Sequence, residues 1–286
     1  MRQHLMLSLA LLAVLAAPAS ARTWRETFDG KSPASVRVRS NDASVHISTR
    51  ETDGVEVIVR HELKTWGWTS PQREPTVSIR RVGDEVVVEA DVQRTSIVFG
   101  GISRDFSIHV TMPRRGTLSV HTDDGRIECD PLDGDIRLET GDGRIVATGL
   151  RGKVDMRSGD GRIEASGLDG SVQARTGDGR IVLEGRFDRL DTRTGDGAVT
   201  VTALRGSQVQ TRWAIETNDG PVSVRIPRDL KAMLDAHTHD GRVSVDLPIQ
   251  VPGTTRQSLS GQLNGGDAPL RVRTRDGSIT FGLSTN

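Results

Sequence analysis

Residues 140–175 read TGDGRIVATGLRGKVDMR and then SGDGRIEASGLDGSVQAR, two 18-residue segments that align without a gap. Each opens on a Thr/Ser-x-Asp-Gly group. At its middle stands a second glycine group, Leu150-Arg151-Gly152 in one and Leu168-Asp169-Gly170 in the other. Working outward, the aspartates of the opening group recur at Asp124, Asp142, Asp160, Asp178 and Asp196, always 18 residues apart, then at Asp219, Asp240 and Asp276 after intervals of 23, 21 and 36. Glycines fall every nine residues from Gly125 to Gly179, skip at Asp188, and resume at Gly197 and Gly206. A fixed short period of this kind is the mark of a stacked-repeat architecture.

Two residues after each nine-residue beat comes an aliphatic side chain: Ile127, Ile136, Ile145, Val154, Ile163, Val172, Ile181, Leu190 and Val199. Two further on stand Cys129, Leu138, Ala147, Met156, Ala165, Ala174, Leu183, Thr192 and Val201, with mostly polar residues between the two sets. Period-two alternation in short runs bounded by glycine predicts strands with one buried face. One strand per nine-residue half-coil, twice per coil, predicts an all-β fold. The expected form is a β-solenoid with ~18-residue coils and two main faces. Eight to ten such coils at ~4.8 Å each make a rod roughly 40–50 Å long. The many small inward residues require a thin core without a ligand cavity, and Cys129, in register with Ala147 and Ala165, reads as core filler.

The Asp-Gly pairs Asp124-Gly125, Asp142-Gly143, Asp160-Gly161, Asp178-Gly179 and Asp196-Gly197 read as structural corners. Glycine is expected there for positive φ, and the aspartate for a bond to nearby backbone. A competing reading is a calcium-stabilised adhesin, because nonapeptide calcium solenoids share the coil length; their aspartate, however, follows the glycines rather than preceding them. Beside the corners runs an arginine ladder, Arg126, Arg144, Arg162 and Arg180, one per coil. The aspartates two residues earlier are its expected counter-charges; the alternative is a track for an anionic polymer.

The flanks are less regular. Residues 22–116 are expected to form irregular N-terminal coils and a cap, 117–215 the regular repeats, and 216–286 longer C-terminal coils, all in one domain. A loop from His61 to Pro75 carries Trp66 and Trp68, the best candidate partner contact in a chain with 3% aromatics. Its other reading is a cap over the open end of the core. Pro252 to Pro269 is expected to be a mobile loop excursion before the final coil.

Residues 1–21 carry the address. Arg2 and His4 precede the apolar run Leu5–Ala17, and Pro18-Ala19-Ser20-Ala21 supplies an A-x-A site, so a signal peptide cut after Ala21 is expected. The run is too short to span a bilayer, which takes ~20 residues. The exported chain is then periplasmic or extracellular, with no transmembrane segment. With 38 basic and 38 acidic side chains, no basic field points to nucleic acid. One cysteine excludes an intrachain disulfide framework. No nucleophile elbow, H-E-x-x-H, P-loop or dinucleotide fingerprint occurs. His237 and His239 could share a strand face but lack further ligands for a metal. The expectation is a protein that is not an enzyme and takes no cofactor; a solenoid enzyme acting on envelope glycan is the alternative.

The stretch from Phe106 through Met112-Pro113 to Asp124-Gly125, with Ile226-Pro227, Ala236-x-Thr-x-Asp-Gly and Leu263-Asn-Gly-Gly further on, resembles a bacterial β-strand repeat family of unknown function described as auto-transporter-like adhesins. The likeness spans about residues 30 to 284. It implies an exported binding or scaffold module of the cell envelope, with a protein or polysaccharide partner and no catalytic residues.

Overall fold

The computed structural model describes residues 20–30, 34–51, 53–69, 74–92, 97–247 and 253–284, and among these the chain forms strands and no helix. The repeat region stacks in parallel at a constant offset. Ile127, Ile145, Ile163, Ile181 and Val199 pair in succession on one side. Leu118, Ile136, Val154, Val172 and Leu190 do so on the other. Every one of these side chains is buried. Burying an Ile or Leu contributes about 1.5–3 kcal/mol, and each rung repeats the contribution. Polar residues between them face out, as alternation along a strand requires.

The corners hold a continuous ladder. Thr140 Oγ1 donates to the Gly125 carbonyl of the previous rung at 3.0 Å and accepts the Gly143 N–H of its own rung at 3.1 Å. Ser158 and Thr176 repeat the arrangement. Thr194, Thr217, Thr274 and Thr238 continue the bond between rungs. These hydroxyls are buried, whereas Asp124, Asp142, Asp160, Asp178 and Asp196 are exposed. The expected reason for the corner glycines is therefore corrected. Gly125, Gly143, Gly161, Gly179 and Gly197 do not have positive φ. What excludes a side chain is the rung below: a Cβ on Gly161 would lie 1.9 Å from the Gly143 carbonyl oxygen. Positive φ belongs instead to the mid-coil glycines, +104° at Gly152 and +125° at Gly170.

The skipped beat at Asp188 has a packing cause. Gly170 pairs with Phe187 but Ser171 pairs with Arg189, so Asp188 is bulged out of register. The shift turns Phe187 inward, where its ring meets Trp213 edge-on at 5.9 Å. Both rings are fully buried. Cys129 is also buried, and burial pushes its thiol pKa up to about 12.

Rung order departs from chain order at both ends. The strands Ala34–Ser40 and Ser44–Arg50 do not end the stack: they lie between 85–91 and 107–113 on one side and 115–122 and 127–129 on the other. Likewise Pro269–Thr274 and Ile279–Leu283 lie between 213–226 and 232–246. The final coil of the chain, 269–283, is thus not the outermost rung of the stack. Antiparallel strands close the ends. Ser20–Phe28 pairs with Val55–Thr69, which pairs with Ile97–Pro113; Thr76–Val82 pairs with Glu85–Asp91.

Two expected loops are strands. The segment holding Trp66 and Trp68 continues Val55–Thr69, pairing with Gly101 and Phe99, because two long alternating runs zip antiparallel. Within the expected excursion, Ser258–Leu263 pairs antiparallel with Ala232–His237, driven by burial of Leu259 and Leu263.

Candidate functional site

Each arginine of the ladder stands immediately before a buried Ile, and backbone bonds align them. Ile127 N–H donates to the Arg144 carbonyl at 2.9 Å, Ile145 N–H to Arg162 at 2.9 Å, and Ile163 N–H to Arg180 at 3.0 Å. Arg126, Arg144, Arg162 and Arg180 are thereby held one per rung on an exposed face. Their partners are not the expected aspartates. Arg126 pairs with Glu128 at 2.5 Å, while Glu164 takes both Arg162, at 2.8 Å, and Arg144. The glutamate two residues later lies on the same outward side of the strand; the aspartate two residues earlier lies across the glycine corner. Such exposed pairs contribute about 0–1 kcal/mol each. Arg180, followed by Val182, has no ion pair among the described residues. The row therefore carries two glutamates against four guanidinium groups and is least neutralised at Arg180.

At the other end of this face lie two histidines that the repeat reading passed over. His46 and His109 stand on paired strands with rings 5.7 Å apart. His46 Nδ1 is 3.2 Å from Glu128 and Nε2 is 4.0 Å from Asp130. Burial, then the neighbouring His46 and Arg60, lowers the pKa of His109 below the usual histidine value. The signal was present: Ser44-Val-His-Ile and Ser107-Ile-His-Val are the same four-residue pattern. A shallow concavity of about 510 Å³ lies over them, bounded by Arg126 and Glu128.

A broader groove of about 840 Å³ follows the corner where Gly177 and Gly195 leave bare backbone between Arg193 and Asp178, with Arg275 and His239 nearby. Its arginines are engaged, Arg193 by Glu216 and Arg273 by Asp235. His237 is the penultimate residue of the strand Ala232–Thr238, before buried Thr238, and His239 sits at the corner. Among the described residues no group of three or more His, Cys, Asp or Glu side chains can hold a metal. The side chains of Trp66 and Trp68 lie outside the described residues. No helix among the described residues is long and apolar enough to cross a membrane.

Stacked parallel rungs with hydroxyl-glycine corners and hairpin-closed ends define a class of all-β repeat protein. The chain belongs to the Toastrack DUF4097 family, whose model matches residues 34–281. No curated protein matches it. Solved structures similar to it include a candidate adhesin of Parabacteroides distasonis, 9% identical, covering 92% of this chain and 97% of that one with a TM-score of 0.45. A candidate adhesin of Bacteroides fragilis is 11% identical, covers 92% and 97%, and has a TM-score of 0.35. A candidate cell adhesion protein of Clostridium sporogenes is 8% identical, covers 93% and 100%, and has a TM-score of 0.25.

Proposed function

We propose that this protein is an exported β-solenoid of 18-residue coils, cut after Ala21, that serves as a non-catalytic, adhesin-like binding or scaffold module of the cell envelope. The observation that carries the reading is the row Arg126, Arg144, Arg162 and Arg180, aligned by backbone bonds, with four guanidinium groups sharing two glutamate partners. A flat face with one cation per ~4.8 Å suits a linear polyanion better than a compact substrate. The partner is an acidic polysaccharide, with Trp66 and Trp68 as a second contact.

Retention of the mature chain on immobilised polygalacturonate tests this. Binding should fall at least tenfold when salt rises from about 50 to about 500 mM, because exposed charges are screened over a few ångströms there. It should fall likewise in Arg162→Gln/Arg180→Gln. Absence of retention, or retention indifferent to salt and to those substitutions, would overturn the reading. Protease added to intact cells decides between surface and periplasm, since cleavage occurs only if the rod faces outward.

A further inference from the structure

The interleaved ends have a mechanical meaning. In a stack built in chain order, each terminal coil is outermost and held by one ladder, so tension on the chain end strips it residue by residue. Here the coils 34–50 and 269–283 each have another rung outside them. Strand 34–40 is paired on one side with 85–90 and on the other with 116–122. Strand 269–274 is paired with 213–216 and with 233–238.

The chain skips a rung at two places to leave these slots, and both bear the same signature: Met112-Pro113-Arg114 and Ile226-Pro227-Arg228. Proline lacks the N–H that would continue a ladder, so each strand stops there and the chain crosses to a different rung. The second crossing is tied down. Asn264 Nδ2 donates to the carbonyls of Arg228 at 2.9 Å and Leu230 at 2.8 Å. Ser284 N–H, at the exit of the last strand, donates to Ile226 at 2.9 Å.

We propose that the fold is built to carry tension between its two ends: each terminal coil is retained by a hairpin cap folded from the interior of the sequence. The inference is independent of the polyanion reading, because its test involves no ligand.

Single molecules of the mature chain should be stretched in two geometries at one loading rate. Handles at the two termini load the interleaved coils; handles on Asp84→Cys and Arg256→Cys, each in the exposed turn of an outer hairpin, load the caps, the native Cys129 being buried. Terminal pulling should first release the strand ending at Phe28 at low force, since it is held by one ladder. The main event should then need about twice the force of hairpin pulling, two ladders resisting in place of one. Equal or lower force from the termini would overturn the proposal. Hydrogen exchange on the unmodified chain gives a check without handles. Amides of 34–50 and 269–283 should exchange more slowly than those of 76–91 and 258–263, and the reverse order would equally overturn it.

Discussion

Thr176 Oγ1 lies 3.0 Å from the Gly161 carbonyl oxygen of the preceding rung, and the same hydroxyl accepts the Gly179 N–H at 3.2 Å. One small side chain thus joins two rungs and closes a corner. Thr176→Val keeps the shape and removes both bonds, leaving buried backbone groups unpaired at a cost of about 1–3 kcal/mol. A lower urea midpoint at unchanged slope is expected; an unchanged midpoint would show that the hydroxyl ladder is decorative.

Corner glycines should be intolerant for a different reason than turn glycines usually are. Gly161→Ala drives a Cβ to 1.9 Å from a backbone oxygen, and relieving that overlap should cost about 1–3 kcal/mol or more. Gly282→Ala meets nothing within 4 Å and should be neutral, or stabilising by about 0.4–1 kcal/mol. Thermal melts of the pair make the comparison within one fold.

Thr192 is a buried residue in the row between Ala174 and Ile215, and its Oγ1 has no hydrogen-bond partner. Replacing it with the isosteric Val removes an unsatisfied hydroxyl, so Thr192→Val should stabilise the chain by about 1–2 kcal/mol. A fall in stability would mean that the hydroxyl has a partner in solution.

Cys129 should be silent while the protein is folded. Its thiol is buried and held at about 12, so neither access nor thiolate is available near neutrality. A thiol-specific dye should react with less than a tenth of the chains before denaturation and with all of them after. Rapid labelling of the native protein would place the residue outside the core.

Acid should loosen the N-terminal end first. Burial, then Arg104 and Arg22, lowers the pKa of His61, and burial with His46 and Arg60 lowers that of His109. The unfolded chain therefore binds these protons more readily, so the stabilisation is present above the ordinary value of about 6.5 and is lost as pH falls below it. The melting temperature should drop between about pH 7 and pH 5. His61→Phe, which keeps the edge-on contact with Phe106, should flatten the drop; an identical acid limb in the variant would assign it elsewhere.

The stacking of Ile127, Ile145, Ile163 and Ile181 was legible in the sequence because two periods, two and 18, fall on the same residues. The role of Thr140 was not. Thr-x-Asp-Gly fits a corner closed by either side chain, and the choice rests on a carbonyl in another rung. Rung order was hidden for a related reason: 34–50 matches the pattern of any rung, and only long-range pairing places it between 85–113 and 115–129. At the site, the arginine register followed from the repeat, but Glu164 as shared partner depended on how the chain turns at Gly161. His46 and His109 were readable as a repeated Ser-x-His pattern set outside the main period.

The interleaved ends also separate length from closure. Both crossings, at Pro113 and Pro227, lie outside the segment from Thr122 to Thr217, where each rung meets the next through the same hydroxyl and glycine contacts. An 18-residue unit duplicated or deleted within that segment, such as 140–157, keeps the same backbone register and corner contacts above and below. The stack is thus graduated like a ruler: one unit more or fewer would change its reach by ~4.8 Å while both end fittings stay the same.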